Sequence, residues 1–420
     1  MSNKMNEYIN INSGKRIMIA TYVYWLILVI VQNMGEYMAT SSAALVLKLA
    51  LIILLTYVFV RKAKIKSSPR FLIWSAFVIY ILLMFITKKT EFKTKELIYY
   101  IFPAIFSFLV YVCQTDATMS KELYFKFFKL ITATVAYMAL YCVFFRTDYF
   151  RNFLSLNVAY GNELSSFFLS GHEYGMYLIF GIISAYMCSK NTSKKKYVTL
   201  YRLLILLFVV NLVLTLSRTS YTSFILIVCV FTFTSDNKNL KSRFALLLFA
   251  AALFFVFSSD AREFVSKILF KESNDAGRFD MWNSAIMLFK RGSLYEQIFG
   301  YGYSYINKYL DMNFQHSTFH NMFLQTLLIW GVFGLLYLFA IIFASIKNAL
   351  SIRKIDKNLS ALFLAMSLST ITFMMTNTAC LMQSPIDSYM MTLFLVIMPK
   401  YVVNAVRSGK YIAVEETINE

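Results

Sequence analysis

Residues 199–234 read TLYRLLILLFVVNLVLTLSRTSYTSFILIVCVFTFT, an almost continuous apolar run. One helix of that length would extend about 54 Å at 1.5 Å per residue. The hydrocarbon core of a bilayer is about 30 Å thick, so the run has to fold back. Its strongly polar cluster is Ser217-Arg218-Thr219-Ser220, and the turn is expected there. Two antiparallel spans joined at a surface arginine are thus the first element of the fold.

The rest of the chain repeats the pattern. A span needs about 20 apolar residues. Twelve are read, at about 17–33, 41–60, 71–87, 97–113, 128–145, 174–189, 199–216, 219–234, 243–259, 319–346, 359–379 and 386–404. The expected fold is an all-α polytopic membrane protein with about 12 transmembrane helices. One long extracytoplasmic loop joins spans 9 and 10. The chain then divides into helices 1–9 (1–259), the loop (260–318), helices 10–12 (319–404) and a cytoplasmic tail (405–420). Composition agrees: 59% of the 420 residues are hydrophobic, too many for an ordinary soluble domain. No cleavable signal peptide is visible, because the first apolar run is long enough to stay as a span.

Orientation follows from Lys and Arg. With the N-terminus cytoplasmic, the inner segments hold twenty-five of them against seven in the short outer loops. That bias places both ends inside and the 260–318 loop outside. The basic loop 88–96 fits least well. The net charge of +19 is therefore a membrane-topology signal and does not indicate nucleic acid. The cysteines Cys113, Cys142, Cys188, Cys229 and Cys380 form no CxxC pair, so neither a zinc site nor a disulfide framework is expected.

The chemistry-bearing residues collect on the expected outer face. Arg218 is either an interfacial anchor that snorkels to the head groups or an anion ligand. Ser217, Thr219 and Ser220 offer no counter-charge, which favours the anion. Arg278 follows Gly277 and is either a solvated loop arginine, paired with Asp275 or Asp280, or a forked donor to phosphate oxygens. His320 opens the tenth span, where an imidazole that titrates near pH 6.5 can accept a proton. A structural histidine at a span edge is the alternative. Asn321 beside it can orient a neighbouring group. His316 and His320 form His-x-x-x-His, yet the glutamate of a zinc protease motif is missing and no metal is expected. Trp282, Tyr301 and Tyr303, with Tyr295, Tyr305 and Tyr309, could stack on sugar rings or form an interfacial aromatic belt. Gly300 and Gly302 could let the backbone turn tightly under a ligand. An Asp-x-Asp motif and a Walker A loop are both lacking, so neither a metal–nucleotide-sugar site nor any cofactor is expected. Few charges lie within the spans, which leaves little for an ion-coupled transporter.

Taken in order, Leu216-Ser217-Arg218-Thr219-Ser220, Gly277-Arg278-x-x-x-Trp282, Phe299-Gly300-x-Gly302, His320-Asn321-x-x-Leu324-Gln325 and Gly331-x-x-Gly334 resemble the O-antigen ligase and polymerase superfamily. The resemblance covers roughly residues 205–345. Upstream, Ser170-Gly171-His172-Glu173-Tyr174-Gly175 stands where many members carry His-Pro-Asn; Pro and Asn are replaced here, and His172 is assigned no role. The resemblance implies an enzyme on the outer side of the bacterial cytoplasmic membrane. It would move a glycan from undecaprenyl pyrophosphate to an acceptor hydroxyl, without nucleotide sugar or required metal. It implies that Arg218 and Arg278 hold the pyrophosphate and that His320 activates the hydroxyl. Trp282, Tyr301, Tyr303, Asn321 and His316 are the expected substrate contacts. Partners would be the lipid-linked oligosaccharide, a flippase and a chain-length regulator. A polymerase, extending one lipid-linked repeat unit with another, is favoured over a ligase acting on lipid A-core. A lipid-linked oligosaccharide transporter and a membrane sensor are the readings from other classes.

Overall fold

The computed structural model describes residues 69–87, 121–154, 163–235 (apart from 167 and 169), 275–314 and 318–377, with isolated positions elsewhere. The elements there are α-helices: α1 (Pro69–Thr87), α2 (Lys121–Phe145), α3 (Thr147–Leu154), α4 (Gly171–Lys190), α5 (Lys195–Leu214), α6 (Arg218–Thr234), α7 (Asp275–Arg291), α8 (Leu294–Phe299), α9 (Tyr303–Phe314), α10 (Met322–Ile352) and α11 (Lys357–Thr376). Among the described residues, four helical segments are long and apolar enough to cross a bilayer: Phe128–Phe145, α5, α10 and α11. Helix α6 is apolar but shorter. The spans expected near 17–33, 41–60, 97–113, 243–259 and 386–404 lie outside the described residues, apart from isolated positions, so the count of twelve is untested.

The helices form two compact units. The first contains α2 to α6. Here α4 packs against both α2 and α5, and α6 lies on α4 and α5. Its core is aromatic and aliphatic, with Phe128, Tyr174, Tyr177 and Phe208 fully buried. Phe168, from the segment before α4, stacks on Tyr177 at 4.6 Å between ring centroids. The opposite face of α5 exposes Leu200, Leu203, Leu206 and Val210. Apolar residues spaced by three and four form one stripe along a helix, and a stripe with no protein cover suits contact with lipid. The fold-back lies where the sequence put it. Helix α5 ends at Leu214, Thr215-Leu216-Ser217 links, and Arg218 is the first residue of α6.

The second unit contains α1 and α7 to α11. Helices α10 and α11 pair as a hairpin turned at 353–356, where the Asp356 side chain caps α11 by accepting from the Leu359 N–H at 2.8 Å. Their interface is closed by a Ser345–Ser367 hydroxyl pair at 2.5 Å and by Ser360 donating to the Ala349 carbonyl at 2.8 Å. Phe333, Leu336, Phe339 and Phe343 form the exposed stripe of α10.

The stretch read as a long loop is helical over its described part, as α7, α8 and α9. Its polar composition hid this. Only a narrow apolar seam is buried, with Met281, Ala285, Ile306 and Leu310, while Phe279, Met287 and Met312 are exposed. A seam that narrow is a weak periodic signal.

Helix α10 is broken. At 31 residues it would reach about 46 Å if continuous, well beyond a bilayer core. At Gly331 the backbone takes φ 68° and ψ −167°, a region that essentially only glycine occupies. The break leaves carbonyls near the end of the first segment without their helical donors. The linker between α8 and α9 supplies replacements: Tyr301 N–H donates to the Leu328 carbonyl at 2.7 Å and Gly302 N–H to the Ile329 carbonyl at 3.1 Å. The Tyr80 hydroxyl of α1 reaches the Phe299 carbonyl at 3.0 Å and the Trp330 carbonyl. Backbones meet closely here. A Cβ on Gly300 would lie 2.3 Å from the Ile329 oxygen, and one on Gly331 would lie 2.2 Å from the Ile298 oxygen. Phe299-Gly300-x-Gly302 and Gly331-x-x-Gly334 are thus two halves of one backbone joint.

Candidate functional site

Each unit carries part of the residue set that the sequence singled out. In the first unit the feature is the start of α6. Ser217 is its N-cap, with a side-chain oxygen that accepts from Ser220 N–H at 3.2 Å. That oxygen also lies 2.7 Å from the Ser220 hydroxyl and 2.6 Å from His172 Nδ1. Ser217 and Ser220 are fully buried. Leu216, just before the cap, has φ 49°, the left-handed region that side chains rarely adopt. Tyr221 ties the turn back by donating to the Val213 carbonyl. Helix α4 fits closely beneath: a Cβ on Gly175 would stand 2.2 Å from the Ser220 hydroxyl, and one on Gly171 would stand 2.6 Å from the Thr215 carbonyl. Arg218, half-buried, therefore leaves a turn fixed on several sides. Its position at a helix N-terminus is one where the backbone dipole favours an anion.

His172 is the residue that sequence reasoning passed over. Forty-five positions separate it from Ser217, so no local spacing joins them. The available signal was its place beside Ser170, which caps α4 by accepting from Glu173 N–H at 3.3 Å.

In the second unit the feature is the start of α10. Asn321 is the N-cap, and its side-chain oxygen accepts from Leu324 N–H at 3.1 Å. The residue before this cap, His320, has φ 50°. So each of the two helices begins with a cap preceded by a left-handed, non-glycine residue, a costly conformation that needs support from its surroundings. At His320 the support comes through Phe319, which is fully buried. Trp282 Nε1 donates to the Phe319 carbonyl at 2.8 Å, and Phe319 N–H donates to Gln325 Oε1 at 2.9 Å. Gln325 is buried. Arg278 lies one helical turn before Trp282 on α7 and is half-buried. A Cβ on the preceding Gly277 would meet nothing within 4 Å.

The aromatic residues divide. Tyr301 is buried, stacks on Tyr305 at 5.1 Å, and donates its hydroxyl to the Leu288 carbonyl at 2.8 Å. Burial raises its pKa above the usual tyrosine range, with Glu296 and Tyr305 adding to the effect. That phenol is a scaffold donor and stays protonated at neutral pH. Tyr303 begins α9 and is half-buried. Trp282 meets Phe279 edge-on at 5.4 Å. Asn321 acts as a helix cap in this structure. The structure thus holds Arg278, Trp282, Tyr301, Tyr303, His320 and Asn321 in one unit and Arg218 in the other. His316 lies outside the described residues, and with it the His-x-x-x-His pair.

With these positions known, comparison with known proteins gives one family and no curated relative. No curated protein matches the chain. Residues 203–339 match the family model described as O-antigen ligase. The matched stretch begins within α5 and ends within α10, and it takes in Arg218, Arg278, Trp282, His320 and Gln325. His172 falls outside it. The type of function indicated is glycan transfer of the O-antigen ligase and polymerase kind, by a glycosyltransferase-like enzyme with membrane-spanning helices. Over residues 203–339, then, this chain is similar to the O-antigen ligase family, as the order of its motifs implied.

Proposed function

We propose that the protein is a polysaccharide polymerase on the outer face of a bacterial cytoplasmic membrane. It transfers a growing glycan from undecaprenyl pyrophosphate to the non-reducing-end hydroxyl of another lipid-linked repeat unit. What supports glycan transfer is the family match spanning both fixed helix starts, with Arg218 at one and His320 at the other.

The chemistry asks for little more. The donor's C1–oxygen bond to pyrophosphate breaks, and C1 bonds to the acceptor oxygen. The acceptor proton passes to His320. Arg218 and Arg278 neutralise the charge that builds on the departing diphosphate. A diphosphate is already a good leaving group, so no strong general acid is required. The sugar passes through an oxocarbenium-like state, and direct displacement inverts the anomeric centre. A lipid-linked oligosaccharide assay with Arg218→Ala, Arg278→Ala and His320→Ala tests the assignment, and near-normal chain growth in all three would sink it.

The ligase reading shares the same site and the same match. Gene deletion separates the two. Loss of a polymerase leaves single repeat units attached to the cell surface, whereas loss of a ligase leaves none. A flippase and a chain-length regulator are the expected protein partners of the polymerase.

A further inference from the structure

The geometry points to Trp282 and Gln325 as a pair of positioning residues that set His320 by holding the Phe319 backbone on both sides of its Cα. Trp282 holds its carbonyl and Gln325 its N–H. The inference rests on His320 serving as the base. Trp282 works through its indole N–H and not as a stacking surface for sugar.

Three observations support it. First, the grip closes on the residue next to His320, and a gripped peptide limits the torsions of its neighbour. Second, His320 occupies φ 50°, which an unrestrained histidine would leave for the ordinary regions. Asn321 fixes the other side by capping α10, and Gln325 N–H also donates to the Asn321 carbonyl at 3.0 Å. The left-handed residue is thus enclosed by bonds before and after it. Third, Gln325 and Phe319 are buried, so water does not readily replace the bond between them. The Trp282 bond also bears on Arg278, because Trp282 follows it by one turn of α7. The indole N–H thereby joins the helix that carries Arg278 to the residue before His320.

The test uses the full-length protein in detergent. The probe is a polyprenyl-diphosphate-linked repeat unit extracted from a strain lacking the gene. Trp282→Phe keeps an aromatic face and removes the N–H. Gln325→Met removes the acceptor at similar volume, and Gln325→Glu keeps one. Misplacing a reacting group by about 1 Å costs up to roughly a hundredfold. Turnover is expected to fall about ten- to hundredfold in Trp282→Phe and Gln325→Met, with KM little changed, and to stay near normal in Gln325→Glu. His320→Ala should lose at least about a hundredfold. Adding Trp282→Phe to His320→Ala should cost less than about threefold more, because the indole then has no base to place.

A Trp282→Phe protein with normal turnover overturns the inference while leaving the function intact. So does a double variant whose loss is the product of the two single losses. A rise in KM in Trp282→Ala with Trp282→Phe normal makes Trp282 a sugar platform instead. Normal turnover in His320→Ala overturns the proposed function and this inference with it. If Trp282→Phe does not accumulate, the Gln325→Met and Gln325→Glu pair decides alone. Equal loss in both of those refutes the grip, because the glutamate retains the acceptor.

Discussion

Gly331→Ala should dismantle the joint between the α8–α9 linker and the broken helix. The added Cβ would lie 2.2 Å from the Ile298 oxygen and 2.6 Å from the Gly300 nitrogen, contacts that real side chains do not make. Those neighbours are backbone atoms and cannot swing aside like the tip of a side chain. Alanine at φ 68°, ψ −167° also carries backbone strain of about 1–3 kcal/mol. Separation of the two backbones would lose the Tyr301–Leu328 and Gly302–Ile329 hydrogen bonds, each worth about 1 kcal/mol net. The expected destabilisation is about 3–5 kcal/mol. For a unit of this size, each kcal/mol lowers Tm by roughly 2–4 °C, so a fall of roughly 6–20 °C is expected. The assay is thermal unfolding of purified protein in detergent, followed by tryptophan fluorescence. Gly277→Ala is the control, because its Cβ meets nothing, and it should melt within a few degrees of the parent. Gly331→Ala melting with the parent and the control would refute the joint.

Ser217→Ala should lower stability by about 1 kcal/mol through loss of the α6 cap. It also removes the hydroxyl facing His172, so activity should fall more than in Thr222→Ala, whose hydroxyl only bonds back along its own helix; equal activity in the two speaks against a role for this turn. Asn321→Ala should destabilise by about 1 kcal/mol, and Asn321→Asp should melt with the parent because aspartate caps equally well. Comparable losses in both would mean that the amide nitrogen matters. For topology, cysteine is placed at Met312 in α9 or at Lys354 in the α10–α11 turn, both exposed, in a background without the native cysteines. A membrane-impermeant maleimide added to intact cells should label the first and not the second, and labelling of Lys354→Cys would reverse the orientation.

Hydropathy alone located the long apolar helices but not α3 or α7 to α9. The described α1, α2, α4, α5, α6, α10 and α11 overlap the expected spans, with α2 starting seven residues earlier and α10 ending six later, since lipid requires long apolar runs and leaves them visible in composition. The fold-back before Arg218 followed from length against bilayer thickness, and motif order alone reached the family that residues 203–339 match. The tertiary structure decided what depends on contacts between distant residues. The Gly300 and Gly331 regions are one joint, Tyr301 is a scaffold donor, and Trp282 and Gln325 meet at Phe319. His172 sits against Ser217. None of these pairings has a period or spacing that a sequence displays, because each is a hydrogen bond or a steric fit between backbones that approach only once the helices have packed.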